Sequence, residues 1–395
     1  MRRSLDQWAT EGKGRGGPAM SSPFQIPADV VSLADYERHA RGRLSEQAWA
    51  YVAGGAADEI TLRRNREAFD AIRLKGRVFA DLAGGDTRLD LLGATFAHPI
   101  LLAPVAHHGL ACPQAELATA VGAVGARAGF VVSTESDVAV EEIAAAAADG
   151  CFWFQLYIQH DRDFTLALVA RAERAGAKAI VLTADAPVSG MRDRERRAGV
   201  VPGMFGPAAH LRGARPGPAP RAGLGESLIF NGFIDTAARW ADVARLRAAT
   251  RLPLLVKGIM TPEDADRAIA EGADGIIVSN HGGRVLDTLP ASIEALPVVA
   301  AAVAGRVPVL VDGGIRRGTD VLKALALGAT AALIGRPYLH ALAVAGPAGV
   351  AHAVQMLRAE FEVAMALTGC RTLRDIGAQV LWDSAGSRTG PSSIG

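Results

Sequence analysis

The chain has almost no net charge: 42 basic and 41 acidic side chains leave +1 at pH 7. That balance provides no electrostatic footprint for a nucleic acid, so no such partner is expected. Cysteine is scarce as well. Cys112, Cys151 and Cys370 are odd in number and far apart. They suit neither a disulfide framework nor a zinc site, and they point to a reducing compartment. No apolar run approaches the roughly 18 residues that span a bilayer. The basic N-terminal stretch MRRSLDQWATEGKGRGGPAMSSPFQ has no apolar segment behind it and does not read as a signal peptide. Aromatic residues make up only 5%, yet a hydrophobic content of 50% over 395 residues excludes a disordered chain. The expectation is a soluble, cytoplasmic globular protein with no membrane partner and no metal.

Short aliphatic runs, by contrast, are plentiful. They fall at Pro99–Ala103, Phe130–Ser133, Trp153–Tyr157, Ala179–Thr183, Leu254–Lys257, Gly275–Ser279, Val307–Val311 and Ala331–Gly335. Most are apolar nearly throughout rather than alternating, as strands buried on both faces must be. Amphipathic stretches such as 161–175, 261–271 and 319–327 lie between them. The last two open with Thr-Pro and Gly-Thr-Asp, which are good helix starts. Eight strands alternating with helices predict an α/β fold, a (β/α)8 TIM barrel. With no early G-x-G-x-x-G turn, a doubly wound sheet fits less well.

One interval, from Thr183 to Leu254, is far longer than the rest. Within it, residues 199–232 hold 8 glycines and 5 prolines, which reads as a long loop after the fourth strand. Its three arginines, Arg212, Arg215 and Arg221, face Glu226 alone. The loop is either a lid over the barrel mouth or an insertion without function. Residues 1–27 read as a flexible extension, 28–98 as helices and a hairpin capping the lower end of a barrel that begins near 99, and 376–395 as a tail.

The active site of such a barrel forms where the strands emerge. Seven of the eight strand ends here carry a polar or ionisable group: Ser133, Gln155 with Tyr157, Thr183 with Asp185, Lys257, Ser279 with His281, Asp312 and Arg336. Any one of these alone reads as an ordinary satisfied residue; their convergence on one rim does not. The glycine turn Asp312-Gly313-Gly314-Ile315-Arg316, with Gly335-Arg336 one strand later, sits where barrels bind phosphate. Lys257 ends a buried strand, where an uncompensated ammonium is costly. It is either one half of a salt bridge or a fixed charge facing a developing anion. His281, followed by two glycines and then Arg284, is a candidate general base that Asp185 could orient. Arg192 and Arg284 form two guanidinium forks suited to one carboxylate, although Arg192 sits in the run RDRERR, which also reads as a solvated charged face.

In this order the residues resemble the FMN-dependent α-hydroxy acid oxidase and dehydrogenase family, which includes glycolate oxidase, lactate oxidase and mandelate dehydrogenase. The specific stretches are YVAGGAADEITLRRNREAF, WFQLY, LTADAP, LVKG, SNHGGRVLD, VDGGIRRGTDVLKALALGA and IGRP, and the resemblance covers roughly residues 30–375. It implies FMN as cofactor, with Pro104, Val105 and Ala106 along the flavin and Ser133, Gln155, Thr183 and Ser279 bonded to its ring or ribityl chain. Lys257 would stabilise the reduced flavin. Asp312, Gly313, Gly314, Ile315, Arg316, Gly335 and Arg336 would hold its phosphate. Arg192 and Arg284 would clamp the substrate carboxylate, Tyr51 and Tyr157 would offer it hydroxyls, and His281 would be the base, supported by Asp185. The activity implied is oxidation of an (S)-2-hydroxy acid to the 2-oxo acid, in a homo-oligomer of four or eight subunits. Ala106 is more like the oxidases than the mandelate dehydrogenase branch, which favours O2 over a quinone or dye as acceptor. A barrel similar to IMP dehydrogenase is the neighbouring alternative, but none of the three cysteines stands in the matching loop.

One position departs from the family pattern. The segment after the second strand reads Ser133-Thr134-Glu135-Ser136, where resembling proteins often carry an aromatic or apolar residue in place of Glu135. Either Glu135 turns to solvent or pairs with a loop arginine, or it lines the pocket and suits a polar or cationic 2-hydroxy acid. His107 and His108, next to Ala106, add polarity to that pocket or belong to a surface loop.

Overall fold

A hairpin of β1 (Leu89–Leu91) and β2 (Ala94–Phe96) precedes eight parallel strands. These are β3 (Ile100–Leu102), β4 (Phe130–Val132), β5 (Phe152–Leu156), β6 (Ile180–Thr183), β7 (Leu254–Ile259), β8 (Gly275–Val278), β9 (Val309–Asp312) and β10 (Ala331–Ile334). They close into a barrel in the order β10-β3-β4-β5-β6-β7-β8-β9, so each predicted run forms one stave of the (β/α)8 TIM barrel. The computed structural model describes residues 25–382, apart from 149, 216, 218–222 and 224.

Burial explains why the runs are apolar throughout. Alternate residues such as Leu101, Val131, Trp153, Val181, Leu255, Ile277, Leu310 and Leu333 fill the barrel interior. Their neighbours, including Ile100, Phe130, Phe154, Val256 and Val311, pack outward on the helices. At the N-terminal end the hairpin plugs the base. Phe96 meets Trp153 edge-on with ring centroids 6.3 Å apart, and a Cβ on Gly129 would stand only 2.4 Å from the Phe96 ring. The helices start as their caps predict: Asp161 accepts from the amides of Asp163 and Phe164, and Thr261 from that of Asp264 ahead of Pro262. No described helix is long and apolar enough to cross a membrane.

The N-terminal segment departs from expectation. Only its hairpin caps the lower end; the helices Glu46–Ala53 and Ile60–Ala71 sit at the opposite, C-terminal mouth. Arg336 donates to the carbonyls of Val52 and Gly54 at 3.0 and 2.7 Å. Asn65 and Asn280 exchange two amide hydrogen bonds at 2.9 and 2.8 Å, both groups buried. The reason lies in hydrogen-bond accounting: buried guanidinium and amide groups of the mouth require acceptors, and these helix ends supply them.

The long β6–β7 connection holds no strand among its described residues. Its helix Asp193–Arg197 and the turn Ala209–Leu211 lie against the mouth: the Ala209 amide donates to the Ser136 carbonyl at 2.8 Å, and His210 is buried against the Thr134 carbonyl. Arg212 and Arg215 are exposed, and Arg221 lies outside the described residues. Of the expected tail, 376–382 run back along the start of the chain, where the Trp382 amide donates to the Arg73 carbonyl at 2.8 Å. The expected extension lies outside the described residues as far as residue 24, as does the tail beyond 382.

Candidate active site

The C-terminal ends of the barrel strands surround a cleft of about 1040 Å³, its open mouth included. Tyr51, Pro104, Val105, Ala106, Ser133, Gln155, Tyr157, Thr183, Arg192, Lys257, His281 and Arg284 all line it, as do Asp312, Gly313, Gly314, Ile315, Arg316, Gly335 and Arg336. Of the residues expected there, Asp185 and Ser279 stand one step behind, in hydrogen-bond contact with His281 and Lys257.

At one end the cleft is cationic. Gly313 and Gly314 take φ of 92° and 82°, and a Cβ on Gly314 would stand 2.0 Å from the Asn65 carbonyl oxygen, so the turn requires glycine. Arg316 reaches only the Ile315 carbonyl, and Arg336 only the carbonyls of Val52, Gly282 and Gly54. Neither has a carboxylate partner among the described residues. Burial, with repulsion from Arg284 and Arg316, pushes Arg336 down to about 9. Two partly buried guanidinium groups beside a glycine turn and a helix N-terminus at Arg336 form a place for an anion.

Along the middle runs a buried hydrogen-bond chain. Ser133 Oγ and the Thr134 amide donate to Gln155 Oε1 at 3.2 and 3.1 Å, and Gln155 Nε2 donates to Thr183 Oγ1 at 3.0 Å. This fixes the amide orientation and leaves one Gln155 N–H and the Thr183 hydroxyl hydrogen unused by these bonds. Lys257 is buried, with 4% of its side chain exposed. Its Nζ donates to Ser279 Oγ at 2.9 Å and lies 3.3 Å from Asp312 Oδ2. Burial opposes the charge, but Asp312 and Asp185 outweigh it and hold the ammonium above its usual range. Lys257 is therefore both a salt-bridge partner and a fixed charge. Asp312 Oδ1 remains buried without a partner.

The third part centres on His281, held in the left-handed region at φ 57°. Its Nδ1 lies 2.8 Å from Asp185 Oδ1, and its Nε2 lies 3.5 Å from the Tyr157 hydroxyl. Burial tends to raise Asp185, yet the charges of Lys257 and His281 hold it below the carboxylate range. Burial and the neighbouring Lys257 lower His281 against the pull of Asp185. With Nδ1 toward Asp185, the ring turns Nε2 toward the Tyr157 hydroxyl and the cleft.

Beside it, Arg284 donates to the carbonyls of Tyr51 and Gly54 and lies over the Tyr51 ring at 4.9 Å. Glu195, which sequence reasoning missed, pairs with Arg284 at 3.1 Å and Arg192 at 3.4 Å. The run RDRERR is solvated only at Arg196 and Arg197: Arg192 and Glu195 turn inward, and Arg194 pairs with Glu59. Glu195 follows Arg192 by three residues, the one signal that pointed to it. Two arginines and one glutamate leave a single positive charge, and Arg192 Nε is buried without a partner.

Glu135 lines the cleft and pairs with no described arginine. His108 is buried behind the wall, bonded to Thr119 and Tyr338. His107 pairs with Asp137 at 2.9 Å and backs the rings of Tyr51 and Phe205.

Comparison with known proteins agrees with this geometry. A family described as FMN-dependent dehydrogenase matches residues 40–383. An L-lactate oxidase of Roseobacter sp. (strain GAI101) is 48% identical over 90% of this chain and 96% of its own. Glycolate oxidase of Spinacia oleracea is 43% identical over 91% and 98%. A solved mandelate oxidase with benzoyl-formic acid superposes with a TM-score of 0.80 at 43% identity, covering 89% of this chain and 98% of its own. The donor set fits the cofactor: partly buried cations with no carboxylate partner among the described residues for a phosphate, an unpartnered carboxylate oxygen for a hydroxyl, and free amide and hydroxyl hydrogens for a heteroaromatic edge. The chain belongs to the FMN-dependent dehydrogenase family, which it shares with these 2-hydroxy acid oxidases, and its cofactor is FMN.

Proposed function

We propose that this protein oxidises an (S)-2-hydroxy acid, of the lactate class or larger, to the 2-oxo acid and passes the electrons to O2, giving H2O2. The observation that carries the reading is an imidazole, His281, oriented by the Asp185 carboxylate in one cleft with Arg192 and Arg284.

When bound, FMN supplies the two-electron acceptor. Arg316, Arg336 and the Gly313-Gly314 turn would hold its phosphate, and Asp312 Oδ1 would accept from a hydroxyl. Ser133, Gln155, Thr183 and the backbone of Pro104–Ala106 would line the ring. Lys257, fixed by Ser279 and Asp312, keeps a buried positive charge where electron density is gained. Arg192 and Arg284 bind the substrate carboxylate, with Glu195 and the Tyr51 ring holding the forks in place. Tyr51 and Tyr157 offer hydroxyls. His281 Nε2 takes up the proton that the substrate loses, and Asp185 stabilises the imidazolium that forms. Holding the substrate against the base removes much of the entropic barrier.

The choice of O2 as acceptor is supported by the relatives named as oxidases and by Ala106. Assignment to the cytoplasm and to a homo-oligomer, a tetramer or octamer, rests on the sequence reading and the family resemblance. The test is steady-state turnover of (S)-lactate and (S)-mandelate in air, with an artificial dye as control. H2O2 released in step with 2-oxo acid supports the oxidase; turnover with dye alone would make the protein a dehydrogenase.

A further inference from the structure

Glu135 is an acid placed where the chemistry already described has no use for one. Its backbone is pinned on both sides: the amide donates to Ser133 Oγ at 3.0 Å, and the carbonyl accepts from the His107 amide at 3.3 Å. Its carboxylate lines the cleft and has no basic group within ion-pair distance among the described residues. The nearby His107 is already engaged by Asp137.

Position around the barrel gives this carboxylate a role. Glu135 follows β4, whereas His281 and Arg284 follow β8. In the closed order these two strands are four places apart out of eight, on opposite sides of the mouth. A 2-hydroxy acid whose carboxylate sits on Arg284 and whose reacting carbon faces His281 must send its remaining substituent away from β8, toward β4. Tyr51 and Tyr157 lie between and feel both the arginines and Glu135. The cleft therefore carries net +1 at the clamp and a free carboxylate across from it.

Resting on the function proposed above, we infer that Glu135 is a specificity-determining residue that selects 2-hydroxy acids whose side chain ends in an ammonium or another N–H donor. The cleft is then complementary to a zwitterion. An apolar side chain in the same place strips water from the carboxylate and returns nothing, whereas a cation replaces that water with a charge-assisted hydrogen bond.

The test uses the FMN-loaded enzyme, its Glu135→Gln and Glu135→Leu variants, and matched acids. 4-Amino-2-hydroxybutanoate, 5-amino-2-hydroxypentanoate and 6-amino-2-hydroxyhexanoate are each set against the methyl-terminated acid of equal length, with lactate alongside. The expected result is a wild-type kcat/KM ratio of amine to methyl acid of at least tenfold at one length. That ratio falls tenfold or more in Glu135→Gln and reverses in Glu135→Leu. A ratio below one at every length, or one that survives both substitutions, overturns the inference. Turnover of lactate but of no paired acid also overturns it, and leaves the proposed function standing. No turnover of any acid by the loaded enzyme overturns the proposed function and the inference with it.

Discussion

Replacing Asp185 by Asn tests the catalytic geometry at one atom. In the native site the carboxylate accepts from His281 Nδ1 at 2.8 Å, which commits the Nε2 lone pair to the cleft. An Asn side chain offers an N–H donor as readily as a carbonyl. Once it donates to Nδ1, the ring proton moves to Nε2 and the base is lost. The charge matters too. Asp185 is the main group holding the His281 pKa up against burial and Lys257, so its removal lowers that pKa further and weakens the base that remains. Both effects act on kcat. General-base catalysis contributes roughly 10²–10⁴-fold, or about 2.7–5.5 kcal/mol, and kcat should fall within that range. KM should move far less, because Arg192, Arg284 and Glu195 make no hydrogen bond or ion pair with Asp185. The acid limb of the kcat/KM profile, expected below the ordinary histidine value in the native enzyme because burial and Lys257 lower His281, should shift to still lower pH. The assay is rapid-mixing flavin bleaching across pH, with FMN absorbance and thermal melting to verify the fold. A kcat within tenfold of native, or an acid limb moved upward, would refute the reasoning.

Arg336→Gln removes one of the two partly buried cations at the glycine turn. Losing a charge-assisted hydrogen bond costs about 1.5–3 kcal/mol, so equilibrium dialysis should show FMN affinity weakened by roughly 10- to 150-fold; an unchanged Kd would remove this arginine from the phosphate site. Gly314→Ala forces a Cβ to within 2.0 Å of the Asn65 carbonyl at a φ of 82°. Strain of about 1–3 kcal/mol should lower the Tm of the apoprotein and loosen FMN; a melting curve that overlays the native one would show that the turn relaxes freely.

The barrel was readable because its staves are buried on both faces. Val181, Leu255 and Ile277 fill the interior while Ile180, Val256 and Ile276 pack on helices, and that leaves uninterrupted aliphatic runs in the sequence. Most of the site followed from the barrel, since strand ends converge by topology and His281, Lys257 and Asp312 sit at such ends. What was not readable depends on contacts far apart in the chain. Asn65 pairs with Asn280 across 215 positions, which puts the N-terminal helices at the mouth rather than the base. Glu195 looked like one more charge in RDRERR until Arg284 was found against it. Glu135 could turn either way on sequence grounds, and only the fold shows it lining the cleft beside Tyr51 and Tyr157.

The most direct test of the central claim is a single turnover without air. The FMN-loaded protein, mixed anaerobically with one equivalent of an (S)-2-hydroxy acid, should lose its absorbance near roughly 450 nm, the usual oxidised-flavin band, and yield one equivalent of 2-oxo acid. Admitting air should restore the band and release one equivalent of H2O2, while the (R)-acid leaves the spectrum unchanged. A flavin that stays oxidised with every 2-hydroxy acid would contradict the account.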